Sequence, residues 1–240
     1  MIVPLVSEEE WCSRLSHVPS WSLGSTPPSF SRGPVLIVAP HPDDETLGVG
    51  GLIAHLRSSG IEVLIAAVTD GENAYEDSRG LGGIRAREQT AAFAHLGVQE
   101  KDIFRFRLCD SNVASQEDEL TALLEPLITR SAHLVSPWRH DFHPDHEACG
   151  RVAERLAQEH KVELTTYFFW AWHRGTTELL SELPLIRLPL TDRLFDFKQQ
   201  ALACHSSQLY REHGDPILSE RLLAPARRCF ETFLTATSAV

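Results

Sequence analysis

Two short segments carry side chains of the kind that hold a metal and move protons. The first is Ala39-Pro40-His41-Pro42-Asp43-Asp44-Glu45, and the second is His143-Pro144-Asp145-His146. His41 and Asp44 are spaced i, i+3, so a tight turn stiffened by Pro42 can aim both at one ion. His146 completes a set of two imidazoles and one carboxylate, and catalytic zinc sites keep three protein ligands and leave a position for water. Asp43 lies between the first two ligands, must point differently, and can approach a water on the metal. A metal, a carboxylate base and an imidazole acid are the parts needed to hydrolyse an amide. The plainer reading is a His-Pro-Asp turn whose aspartate caps the next helix. The second segment, with its two histidines and a carboxylate, weighs against that reading.

The flanking residues predict how these segments are positioned. Val35–Ala39 is a continuous aliphatic run, as in a strand covered on both faces. Val49, Leu52, Ile53 and Leu56 then fall on one helical face that ends at Gly60. The pattern continues with a strand over 61–68, a helix over 84–96 stopped by Gly97, a strand over 103–108, a helix over 117–128 and a strand over 133–136. Ala148, Val152, Ala153 and Leu156 predict a further helix, with Asp145 as its N-cap. An aromatic strand over 167–172, a strand over 185–190 and a helix over 191–206 complete the series. A short peripheral helix over 8–18 and a Pro/Ser/Gly-rich lead-in over 19–34 precede it.

Alternation of this kind predicts an α/β, Rossmann-like fold, a mostly parallel sheet with helices on both faces. Ligands of such sheets bind beyond the carboxyl ends of the strands. The first segment follows the first strand and the second closely follows the fourth, so both lie on that edge. One domain is expected over 1–240, with 1–33 peripheral, 34–150 holding the metal site and 151–240 on the substrate side.

Composition narrows the partners. The chain has 240 residues, 42% hydrophobic and 23% charged, with formal net charge -11. No basic face for phosphates is evident, which argues against nucleic acid. The acidic balance also disfavours strongly anionic substrates unless Arg79, Arg85 and Arg87 cluster locally. The five cysteines lack CxxC spacing, which predicts free thiols in a reducing compartment. The N-terminus carries no basic n-region with a long apolar h-region, and no stretch is long enough to span a bilayer. The expectation is therefore a cytoplasmic protein acting on a small molecule, with room for a homo-oligomer.

The first segment resembles the signature of the PIG-L/LmbE family of metal-dependent N-deacetylases. The resemblance continues through Thr69-Asp70-Gly71-Glu72, Arg85-x-x-Glu88-x-x-x-Ala92-x-x-x-Leu96-Gly97 and His143-Pro144-Asp145-His146. A late Lys198-x-x-Ala201-x-x-x-His205-x-Ser207-Gln208 also resembles the family pattern. It is strong over 34–150 and thin beyond. It implies a zinc-dependent hydrolase that removes an acyl group, an acetyl by preference, from the amide nitrogen of an amino sugar or its conjugate. By that resemblance His41, Asp44 and His146 bind Zn2+ (Fe2+ or another divalent ion in the same set being the alternative). Asp43 is the general base, His143 stabilises the oxyanion or acts as acid, and Asp145 orients a neighbouring imidazole. Arg85 matches a family arginine that faces substrate, although by spacing alone it would pair with Glu88 on a solvated helix face.

Three other features have two readings each. Asp110, after the third strand, is either an acceptor for a sugar hydroxyl or a turn residue. Trp172, at the end of the aromatic run, is a candidate for the pocket, although aromatic strands are more often core. Asp141 is either a support for a metal-binding histidine or a turn former. Gly48-Val49-Gly50-Gly51 lacks the spacing and the lysine of a phosphate loop, so it predicts close packing of helix on sheet. The rival functions are a non-haem iron oxygenase, which shares the two-His, one-carboxylate set, and a binding module that has lost turnover. The extra Asp43 disfavours the first, and the complete residue set disfavours the second.

Overall fold

Seven strands form one sheet: β1 (Val35–Ala39), β2 (Val63–Thr69), β3 (Ile103–Leu108), β4 (His133–Pro137), β5 (Glu163–Tyr167), β6 (Leu185–Pro189) and β7 (Phe230–Thr235). The computed structural model describes residues 4–21, 28–75, 78–212 and 214–235. Part of the lead-in expected over 19–34 lies outside them. The helices are α1 (Glu8–Leu15), α2 (Asp44–Ser58), α3 (Leu81–His95), α4 (Glu117–Ile128), α5 (Pro144–His160), α6 (Ala171–Arg174), α7 (Thr177–Ser181), α8 (Asp192–Ala203), α9 (Ser206–Leu209) and α10 (Glu220–Leu223). No described helix is long and apolar enough to cross a membrane, and all five cysteines are free.

The strand order is β3-β2-β1-β4-β5-β7-β6. The first five run parallel, and β7 is antiparallel to both of its neighbours. Successive residues of β1 enter opposite cores, because side chains alternate across a strand. Val35 and Ile37 join one apolar cluster with Val63, Ile65 and Val135. Leu36 and Val38 join the other with Leu64, Ala66 and Leu134. Both faces are covered by helices, which is why β1 and β2 read as unbroken aliphatic runs. The order reverses at β1, whose neighbours are β2 and β4. Such a reversal opens a crevice at the carboxyl ends, and both chemistry-bearing segments are there.

Helix α2 lies close against the sheet because its glycines leave no room for side chains. A Cβ on Gly48 would collide with the Tyr167 ring, and one on Gly51 with Leu190. The helix breaks at Val49 (φ -139°). The break frees backbone groups that need partners. Glu231 of β7 accepts from Gly51 N (2.7 Å) and Leu52 N (2.8 Å). Lys198 of α8 donates to Leu47 O at 3.0 Å and to Glu231 at 2.6 Å. The late lysine of the sequence pattern therefore supports the first turn of α2, which holds Asp44.

Two sequence expectations are corrected here. The aromatic run is not a strand: β5 ends at Tyr167, and Ala171–Arg174 is a helical turn. The chain turns because Asp141 accepts the backbone N–H groups of Phe169, Trp170 and Ala171. The N-cap of α5 is His143, not Asp145; the imidazole Nδ1 accepts from Asp145 N at 3.3 Å.

Candidate active site

The three expected metal ligands converge. Ligand atoms of His41, Asp44 and His146 all lie within 4.8 Å of one another. One carboxylate oxygen, Asp44 Oδ2, lies 3.1 Å from His41 Nδ1 and 3.2 Å from His146 Nε2. A second carboxylate stands behind each ring. Asp141 is 2.8 Å from His146 Nδ1, and Asp145 is 3.1 Å from His41 Nε2. Each rear carboxylate takes an N–H, so once a cation displaces the ring's second proton the opposite nitrogen offers its lone pair beside Asp44. His146 Nε2 is buried and has no hydrogen-bond partner. A buried orphan lone pair beside a carboxylate and a second imidazole is the donor set of a divalent cation, and the residues fit one.

His41, His143 and Asp145 form a second close triple. It is the poorer cation site, because the Asp145 carboxylate already accepts from Ser111 N (2.8 Å) and Val113 N (3.0 Å). Asp145 thus sits against His41 Nε2 with its carboxylate held by two backbone donors.

Burial opposes charge throughout the cluster, and its internal pairing decides the outcome. For Asp44, the His146 charge and bonds from both imidazoles outweigh burial and hold the carboxylate well below its ordinary range. Burial lowers His146, but Asp44 and Asp141 together raise it to about 9. Asp43 is pushed up to about 7, first by burial and then by the adjacent Asp44 charge, with Arg85 opposing. Burial, then the charges of His146 and His41, lower His143 to about 4. His143 is therefore a neutral imidazole, and with Nδ1 accepting from Asp145 N the proton belongs on Nε2.

Glu45 is pushed up to about 8 by burial, then by Asp43 and Asp44. Its ordinary value is 4.5, so between these values the folded chain holds a proton that the unfolded chain releases. This contribution to stability is complete below the lower value and is lost as pH rises through the upper one. The slope is about 1.4 kcal/mol per pH unit. Glu45→Gln is therefore expected to flatten the fall in stability across that window, measured by urea unfolding of metal-free protein. Equal slopes in the two proteins would contradict this.

A cleft of about 230 Å³ opens on these groups. His41, Asp43, Asp44 and His143 line it, with Arg85, Asp110, Ser111, Phe169, Trp170 and the apolar Ile217, Leu218 and Leu222. Asp110 is on this edge, 3.4 Å from His41 Nε2. Burial pushes its carboxyl up, but the bond and charge of His41 hold it at about 2.

Arg85 borders the cleft yet is buried and occupied. It donates to Gly71 O (2.8 Å) and Gln208 Oε1 (2.6 Å), and it lies 3.7 Å from Asp43 Oδ2. It does not pair with Glu88, whose carboxylate accepts from Ser207. Arg79 and Arg87 are exposed and line no part of the cleft, so no arginine cluster forms there.

Trp172 is not brought to the site. It packs edge-on against Trp11 and carries the Arg228 guanidinium. It lines a separate cavity of about 320 Å³ with Trp11 and His173, larger than the cleft but remote from the metal-ligand set. The aromatic residue at the cleft is Trp170, stacked on His143 at 5.6 Å. The strand preference of Thr165-Thr166-Tyr167 marks an earlier start for this strand, and β5 ends at Tyr167 with residues 168–170 at its carboxyl edge.

Comparison with known proteins agrees with this arrangement. The family model described as PIG-L: GlcNAc-PI de-N-acetylase matches residues 36–157. The probable N-acetyl-alpha-D-glucosaminyl L-malate deacetylase 2 of Bacillus subtilis (strain 168) is 31% identical over 186 residues, covering 72% of this chain and 82% of that protein. N,N'-diacetylchitobiose deacetylase from Pyrococcus horikoshii shares the fold with TM-score 0.59 and 22% identity, over 84% of this chain and 79% of that one. So does the 4-carboxy-2-hydroxymuconate hydratase of Pseudomonas putida KT2440, with TM-score 0.64 and 16% identity over 87% of this chain and 98% of that one. The fold therefore hosts more than one reaction, and function must be argued from the site. The matched span holds both motif segments and every residue of the convergent cluster, and on it the chain belongs to the PIG-L (GlcNAc-PI de-N-acetylase) family.

Proposed function

We propose that this chain is a divalent-metal-dependent hydrolase that removes an acetyl group from the amide nitrogen of an amino sugar or its conjugate. The observation that carries the reading is the convergence of His41, Asp44 and the buried His146 at the base of a cleft that Asp43 and His143 also line. The Bacillus subtilis relative, named for deacetylation of an N-acetylglucosaminyl malate, supports the substrate class. His41 Nδ1, Asp44 Oδ2 and His146 Nε2 would hold the ion, with zinc the proposed native metal. When bound, a divalent cation polarises the amide carbonyl and acidifies water.

The remaining roles belong to the chain. Asp43, raised to about 7, is near the proton affinity that suits a base at neutral pH. It takes the proton of the attacking water as the C–O bond forms, and returns it to the amide nitrogen as the C–N bond breaks and the amine leaves. His143, neutral with its proton on Nε2, donates a hydrogen bond to the substrate's carbonyl oxygen as it becomes an oxyanion. Asp110 accepts a sugar hydroxyl, and Phe169, Trp170 and Leu218 keep water from the opposite wall of the cleft. Arg85 holds Asp43 rather than the substrate, because it is buried with Nη1 donating to Gly71 O and Nη2 to Gln208 Oε1.

A panel of N-acetyl amino sugars and their conjugates, scored by release of free amine with and without dioxygen, tests the reading. Oxygen-independent release from at least one member is expected. Oxygen consumption coupled to a 2-oxoacid, or metal and sugar binding without amine release, would overturn it.

A further inference from the structure

The late Ser207-Gln208 pair is assigned no task by the chemistry above, yet Gln208 is fully buried directly behind the base. Its amide is used at both ends. Nε2 donates to Pro42 O at 2.5 Å, and Oε1 accepts from Arg85 Nη2 at 2.6 Å. The same Arg85 nitrogen lies 3.4 Å from Pro42 O and 3.7 Å from Asp43 Oδ2. His205 Nδ1 lies 3.3 Å from Gln208 Nε2, and His205 Nε2 lies 3.3 Å from Thr46 Oγ1. One side chain from α9 thus ties the residue before Asp43 directly, and the first turn of α2 through an imidazole.

The tied segment needs holding. Asp43 has φ 149° and ψ -30°, a region that a residue with a Cβ adopts only when its surroundings over-determine it. Its own local bonds are Asp43 O accepting from Leu47 N at 2.8 Å and a long 3.4 Å contact of Asp43 N with Glu45. Only the second touches the peptide that joins Pro42 to Asp43, and at 3.4 Å it is a weak restraint. Gln208 and Arg85 fix that peptide by gripping its carbonyl. The two ends of the Gln208 amide also differ in kind, so the donor can face only the carbonyl and the acceptor only the guanidinium.

We propose that Gln208 is a positioning residue that fixes the strained Pro42–Asp43 peptide and so aims the Asp43 carboxylate; the assignment rests on Asp43 being the base. Gln208→Leu keeps the volume and removes both bonds. Gln208→Glu keeps the acceptor for Arg85 but loses the donor to Pro42 O. Both variants are expected to retain bound zinc and an unchanged KM while kcat falls about 100-fold, the effect of a misplacement near 1 Å. A crystal structure of Gln208→Leu is expected to show Asp43 relaxed to negative φ. A raised KM with unchanged kcat, wild-type kcat in Gln208→Glu, or Asp43 still at its present φ in Gln208→Leu would each overturn the proposal. If the wild-type protein releases no amine from any amino sugar, the functional reading fails, and the Asp43 conformation in Gln208→Leu still decides this one.

Discussion

Asp43→Asn is expected to lower kcat for amine release by about 10³-fold, the usual worth of a positioned base, and to leave metal binding intact. The residue is the only carboxylate of the cleft-lining set that is neither paired to an imidazole nor placed among the ligand atoms. Asn keeps its size and its hydrogen-bonding reach while removing the capacity to take a proton. Metal content by elemental analysis and steady-state kinetics separate the two effects. If Asp43→Asn loses its metal along with its activity, Asp43 is a ligand and the assignment of Asp44 must be revisited. Wild-type kcat in the variant would remove Asp43 from the chemistry.

The second large effect is on metal affinity. His146→Ala is expected to abolish tight binding, measured by competition with a chromophoric chelator. The ring is fully buried, and its free nitrogen faces Asp44 with no other partner. Asp141→Asn is the informative companion. It keeps the ring in place but weakens the acceptor behind Nδ1, and loss of such an outer partner costs about 10–100-fold in affinity. The ordering wild type, then Asp141→Asn, then His146→Ala is expected. Equal affinities in Asp141→Asn and wild type would show that Asp141 serves only the turn at residues 169–171, whose backbone groups it also binds.

Much of this arrangement is legible in the amino-acid order, for physical reasons that also explain the failures. The runs at 35–39 and 103–108 and the amphipathic stretch at 117–128 coincide with β1, β3 and α4 to the residue. Burial on both faces or one stripe leaves an unmistakable pattern. His41, Asp44 and His146 are legible because two motifs at strand ends on one sheet edge must meet. Trp172 is the wrong aromatic because five aromatic residues and one alanine over 167–172 carry no periodicity. The turn that separates Trp170 from Trp172 is set by Asp141, a residue remote in the chain.

Strand β7 escapes the sequence reading. It runs antiparallel, outside the strand-helix alternation, and sends the side chain of Glu231 to the broken helix α2. Arg85 illustrates a different limit. Residue type and spacing bring it to the cleft, but only the partners at Gly71, Gln208 and Pro42 reveal that it faces inward toward the base.

The proposed hydrolytic centre is built on one cation held by His41, Asp44 and His146. Protein stripped with a chelator and titrated with zinc, while amine release from an N-acetyl amino sugar is followed, tests it most directly. Activity is expected to be absent at the start and to rise linearly until one equivalent has bound. Full activity in the stripped protein, or no activity at any zinc level while the ion binds tightly, would contradict the claim.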